Sequence, residues 1–322
     1  MKNEEIALRL DRLASQVAGL DKRLAGIEVL ARRVVGPAPK QMAAEKVQPP
    51  WKMTPAHVEA LAADLYSAVK KEPHEALNFQ PAAESFYLTA HARNVSKLAM
   101  FLADKHGLSE ASTRTVGICG LLHDAGMDSL PRDLLSANRP LTQQEYQQVR
   151  MHPTRGAEYV RRHYDFGSLV SSVVPMVVEQ HHERSDGTGY PRGLAGDGIH
   201  EFARILAIAD SYEALTTPRA FRRPKHPTEA MRTLLLQGYP SPDSGMYDHA
   251  ILKTFLWSAS LYPIGCKVNL SDGRRAEVIS ATADPKRPVV KLLGQKHTAE
   301  AVDLTQHQDT AITDQQNAAA KD

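Results

Sequence analysis

Cysteine is almost missing from this 322-residue chain. Cys119 lies in an apolar helical pattern and Cys266 beside a turn, so a disulfide framework is not expected and a reducing compartment is. No apolar run approaches the roughly 18 to 20 residues that span a bilayer, and Met1-Lys2-Asn3-Glu4-Glu5 opens with acids rather than a signal segment. Both observations predict a cytoplasmic protein without membrane insertion. Net charge is also scarce: 39 basic against 37 acidic residues leave +2, which offers no broad nucleic-acid footprint, so no DNA partner is expected. Strand-like alternation is lacking before about residue 263. What the chain has in excess is histidine, 14 in all, several placed where helix periodicity turns them inward.

The apolar residues Ile6, Leu10, Leu13, Val17, Leu20, Leu24, Ile27, Ala31 and Val34 recur in alternating steps of four and three, with charged residues between them. This heptad seam predicts a coiled-coil helix over residues 1–35 and a homodimer joined through residues 6–34. The alternative is an amphipathic helix on the protein's own body; the narrow seam and the linker behind it favour the dimer. Residues 36–55 carry Pro37, Pro39, Pro49, Pro50 and Pro55 among polar residues and read as that linker.

Residues 56–262 read as mostly α, with helices expected at His57–Lys71, Ala82–His106, from a Ser109 cap through Leu122, and at Thr142–Met151, Arg155–Tyr164, Leu169–His181, Glu201–Leu215 and Thr228–Gln237. Long loops are expected at Asp124–Asn138 and Glu183–Glu201. Residues 263–304 change texture: short β-branched runs separated by Ser271-Asp272-Gly273 and Ala283-Asp284-Pro285 predict a small antiparallel β unit packed on the helical body. Residues 305–322, rich in Gln, Asp, Thr and Ala, have almost nothing to bury and are expected to be disordered.

Five features of the helical region carry metal-ligand chemistry: His91, His123-Asp124, His152, His181-His182 and Asp210. Three of them follow apolar runs that should be buried, Ile118–Leu122, Val173–Val178 and Ile205–Ala209. A buried carboxylate needs a compensating cation or donor, and a metal centre supplies one. Adjacent histidines face one cation only where the last helical turn unwinds, which the glycines after His182 permit. One cation takes four to six ligands, so five imidazoles and two carboxylates point to two divalent cations. Mixed N,O ligation favours iron or manganese, with zinc, cobalt or nickel as alternatives. Two such cations about 3.5 to 4 Å apart suit in-line displacement at phosphorus.

This ordered set is similar to the HD superfamily of metal-dependent phosphohydrolases. Gly189-Tyr190-Pro191, within the run His181 to Pro191, makes it resemble the HD-GYP subgroup, bacterial phosphodiesterases that hydrolyse cyclic di-GMP. The resemblance covers roughly Ala82–Tyr262 and implies an HD-type helical bundle. It implies one metal held by His91, His123, Asp124 and Asp210, and another by Asp124, His152, His181 and His182. It further implies a substrate grip by Arg219 and Arg222, a loop Gly189, Tyr190 and Pro191 bordering the site, and contacts of that loop with diguanylate cyclase domains. Glu183 and Asp186 are expected to support the turn instead of binding metal.

Two residues depart from the pattern. Tyr87 stands where some members have a glutamate for a third metal, so a two-metal centre is expected. Met127 stands where the family's His-Asp-x-Gly-Lys motif has its lysine, and loss of one electrostatic donor slows chemistry by about 10² to 10³. Lys105, Arg132 and Arg155 are candidate substitutes for that charge. The expected function is hydrolysis of cyclic di-GMP to linear pGpG, and onward to GMP; the alternatives are a catalytically weakened sensor signalling through its coiled coil and a phosphohydrolase for another nucleotide.

Overall fold

Helix starts follow local capping chemistry. Thr54 caps α1 (Pro55–Lys71) with its hydroxyl on the His57 amide, Ser109 caps α3 (Glu110–Leu122), and Thr142 with Glu145 forms a reciprocal box at α5 (Gln143–Arg150). His200 caps α8 (Glu201–Thr216) through its ring nitrogen, and Asp248 caps α10 (His249–Ser258), a helix the periodicity had not separated. The remaining helices are α2 (Tyr87–His106), the short α4 (Arg132–Leu135), α6 (His152–His163), α7 (Ser168–Gln180) and α9 (Pro227–Gly238). The expected loop at Asp124–Asn138 is ordered by a 3-10 turn, Ala125–Ser129, and by α4.

This computed structural model describes residues 48–77, 79, 87–135, 137, 139–218, 224–225, 227–238, 245–259, 262, 266–280, 282, 284, 286–294 and 301–316. All fall within one unit, Val47–Asp322. The coiled-coil segment 1–35, most of the linker, Arg219 and Arg222 lie outside the described residues.

Helix α2 packs on α3, α8 and α10; α6 pairs with α7, and α7 reaches α3. Their shared core buries Leu98, Phe101, Leu102, Leu121, Leu122, Val177, Val178, Leu206 and Ile208. Each such side chain contributes about 1.5–3 kcal/mol by leaving water. Leu121 and Leu122 immediately precede His123, Val177 and Val178 lie just before His181, and Ile208 lies just before Asp210. The same burial that stabilises the fold therefore fixes the backbone beneath the polar cluster.

The linker boundary needs correction. Pro50–Lys52 form a 3-10 turn in which Trp51 is 1% exposed, while Tyr159 and Tyr164 donate their hydroxyls to the carbonyls of Trp51 and Met53. Prolines here start structured turns, as Pro55 does at the first position of α1, so they end a linker without themselves being flexible.

The β unit is a five-stranded antiparallel sheet in the order β4-β3-β2-β1-β5, from β1 (Lys267–Leu270), β2 (Arg275–Ser280), β3 (Val289–Leu292), β4 (Ala301–Asp303) and β5 (Ile312–Gln316). Alternate residues Val268, Leu270, Ala276, Val278, Val290, Leu292, Val302 and Leu304 fill its own core. The expectation of a disordered 305–322 tail is overturned over 305–316, where β5 pairs with β1. Strand pairing is made by backbone groups, and an edge strand needs few apolar side chains; here Ile312 packs against the sheet core.

Candidate metal centre

Seven side chains that are far apart in sequence converge. His91 lies in α2, His123 caps the end of α3, Asp124 opens the 3-10 turn, His152 begins α6, His181 caps the end of α7 with His182 in the unwound turn beyond it, and Asp210 lies in α8. Their atoms form two groups, His91 with His123 and Asp124, and His152 with His181 and His182. Asp124 stands between them. Its Oδ2 is 3.6 Å from His91 Nε2 and 3.5 Å from His123 Nε2, while its Oδ1 is 3.3 Å from His152 Nε2. Asp210 also spans the two groups, with Oδ1 3.3 Å from His91 Nε2 and Oδ2 3.9 Å from His182 Nδ1.

The tautomers follow from the outer partners. His123, His152 and His181 each donate Nδ1–H to the carbonyl three residues earlier, at Gly120, Val149 and Val178. His91 directs Nδ1 to Glu213 at 2.5 Å. All four thus point Nε2 inward, and in His123, His152 and His181 it is the unprotonated nitrogen. His123 Nε2 is 3.3 Å from His91 Nε2, and His152 Nε2 is 3.2 Å from His181 Nε2. Between His152 and His181, lone pairs facing at that distance repel unless a cation lies between them, so the donor set fits bound metal.

Electrostatics agree. Burial opposes ionisation of Asp124, but His123, His152 and His91 outweigh it and hold the carboxyl well below the usual carboxylate range. Asp210 is held down in the same way, against burial, by His91, His182 and His123. Burial, with His123 and His152 nearby, lowers His181 to about 3, and burial with His181 and His152 lowers His182 as well. These imidazoles are neutral, as ligands must be.

Glycine permits the close approach. A Cβ on Gly126 would lie 2.0 Å from the His152 carbonyl oxygen, so only glycine lets the Asp124 turn meet the start of α6. A Cβ on Gly189 would lie 2.4 Å from the Arg184 amide nitrogen. Around it, buried Glu183 accepts the amides of Arg192 and Leu194, Asp186 accepts the amide and the hydroxyl of Thr188, and Tyr190 donates its amide to the His182 carbonyl. Both acids organise the turn, as expected. The Tyr190 ring stacks on His182 at 4.8 Å, which places the Gly189-Tyr190-Pro191 loop beside the site.

Met127 is half-buried in the 3-10 turn. Arg155 reaches that turn, donating to Ser129 Oγ at 3.2 Å, whereas Lys105 lies over the Phe101 ring on α2. The Arg132 side chain is outside the description. Tyr87 stacks on His91 with ring centroids 5.6 Å apart.

Sequence reasoning missed Glu213. Its carboxylate is buried and also takes hydrogen bonds from Asn94 and Thr217. Burial opposes its ionisation, but His91, Asn94 and Thr217 keep it ionised. The available signal was its spacing, three residues after Asp210 on one helix.

A family described as the HD domain matches residues 55–240. The chain is 33% identical over 225 residues to a cyclic di-GMP phosphodiesterase of Pseudomonas aeruginosa, covering 70% of this chain and 52% of that protein. It is 36% identical over 152 residues to a 3'3'-cGAMP-specific phosphodiesterase of Vibrio cholerae, covering 47% and 34%. It is 29% identical over 182 residues to a cyclic di-GMP phosphodiesterase of Thermotoga maritima, covering 56% and 47%. The chain spans about half the length, or less, of these relatives.

Proposed function

The chain belongs to the HD domain family, in its HD-GYP branch, and from that premise we propose that it hydrolyses cyclic di-GMP to linear pGpG, and onward to GMP, at two divalent cations, iron or manganese. The observation that carries this reading is Asp124, whose two oxygens face two separate imidazole groups. His91, His123, Asp124 and Asp210 would hold one cation; Asp124, His152, His181 and His182 would hold the other. Bound there, the pair supplies Lewis-acid charge and an acidified water for attack at phosphorus.

The chain's own residues do the remaining work. The carbonyls behind His123, His152 and His181 and the carboxylate behind His91 keep four Nε2 atoms aimed inward. Glu213 makes His91 the most electron-rich of these donors. Tyr190 walls the site on the His182 side. Met127 contributes neither charge nor donor, so stabilisation of the phosphoryl oxygens falls on the metal site and on neighbouring arginines. The resemblance assigns Arg219 and Arg222 that role.

The test is to load purified protein with iron or manganese, add cyclic di-GMP and look for pGpG; no linear product with either metal overturns the reading. A panel including 3'3'-cGAMP then sets base preference. The heptad seam of residues 6–34 supports a homodimer, which a monomer mass of the full chain at micromolar concentration would refute. A partly exposed Asp186–Gly193 loop supports docking of diguanylate cyclase domains, and a nucleotide messenger as substrate supports a cytoplasmic location.

A further inference from the structure

Arg150 ends α5 without an ion pair or hydrogen bond among the described residues, although it lies beside the candidate metal centre. Its guanidinium carbon is 4.7 Å from the Tyr190 ring centroid and 5.9 Å from that of Tyr146. Tyr190 in turn stacks on His182, so Arg150, Tyr190 and His182 form a run of contacts leading to the site. The carboxylate on the same helix, Glu145, is already held by both terminal nitrogens of Arg139. Tyr146 is 49% exposed on a helix with no buried residue, so packing does not explain an aromatic side chain there.

From this arrangement we infer that Arg150, Tyr146 and Tyr190 form a nucleotide subsite, in which Arg150 grips the phosphate not held at the metals and Tyr146 stacks on a purine. The inference rests on the cyclic-dinucleotide reading above. A substrate with two phosphates on one ring leaves one of them unmatched when the other is at the metals. A guanidinium is suited to it, since its planar fork pairs with phosphate oxygens while its face stays on an aromatic ring. An exposed tyrosine ring offers a sequence-tolerant stacking surface for a base.

The experiment compares metal-loaded full-length wild type with Arg150→Ala, Arg150→Lys and Tyr146→Ala. For cyclic di-GMP, Arg150→Ala should raise KM about 10- to 100-fold, the worth of one charge-assisted hydrogen-bonding group. Arg150→Lys should recover part of that loss, Tyr146→Ala should raise KM less, and metal content should stay at the wild-type level. With bis(p-nitrophenyl) phosphate, which has one phosphate and no base, the Arg150→Ala penalty should be several-fold smaller. An unchanged KM for cyclic di-GMP in Arg150→Ala overturns the subsite. So does an equal loss on both substrates with loss of metal, which makes Arg150 a prop for Tyr190 and His182. Wild type that cleaves bis(p-nitrophenyl) phosphate but neither binds nor cleaves cyclic di-GMP overturns the functional reading, and the subsite with it.

Discussion

The two sides of the candidate metal centre are built differently. On the α2 side, His91 is backed by an ionised carboxylate that is itself held by Asn94 and Thr217 in the buried interior. On the α6 and α7 side, His152 and His181 are backed by neutral backbone carbonyls, and His182 is covered by Tyr190 and, beyond it, Arg150. The consequence appears in the imidazoles. Although burial opposes it, Glu213 raises His91 well above its ordinary value, whereas burial and neighbouring histidines lower His181 to about 3. The first side is backed by buried charge and the second by neutral backbone carbonyls, with the His182 side chain 19% exposed against 3% for His91; the comparison teaches that one cluster can orient its imidazoles by two different means.

Asp124→Asn should erase the comparison altogether, because both sides share that carboxylate. Metal content should fall on both sides, and turnover by at least about 10² to 10³, the loss typical of one electrostatic group. Elemental analysis beside an activity assay checks it; retention of two metals would mean that Asp124 does not bridge.

Met127→Lys adds charge in the turn between the two sides. It should raise kcat by up to about 10², with little change in metal content. A flat kcat would show that cations elsewhere already serve that role.

Glu213→Gln should sharpen the difference by weakening one side only. Removing the charged partner of a ligating histidine costs about 10- to 100-fold in metal affinity. Metal titration should therefore show one weakened site and one near wild type, and equal weakening of both would contradict the division.

Acid should act on the second side of the metal-free protein. The unfolded His181 imidazole takes a proton near 6.5 and the folded one at about 3. Its contribution is therefore complete above about 6.5 and is lost progressively as pH falls towards 3. His91 has the opposite sign, its contribution being present below its ordinary value and lost as pH rises through its raised one. Chemical denaturation at about pH 7 and about pH 5 should show His181→Gln losing less stability than wild type, by up to about 2 kcal/mol. An identical loss in both proteins would remove His181 as the cause.

Much of this was legible locally. Ser109, and Thr142 with Glu145, mark helix starts because a cap acts over three residues, and the runs before His123, His181 and Asp210 mark buried backbone because apolar periodicity is short-range. Less legible were features made by pairing alone, such as β5, whose polar residues join the sheet through backbone groups.

By itself, the sequence determined the helical class, the β-strand texture near the C-terminus and the seven side chains suited to metal. Tertiary structure decided which oxygen of Asp124 faces which imidazoles, that Glu213 backs His91 across 122 positions of sequence, and that Arg150 lies over Tyr190. The physical reason is range: capping and periodicity act within a few turns, whereas these contacts exist only after burial has packed α2, α3, α6, α7 and α8 around one core.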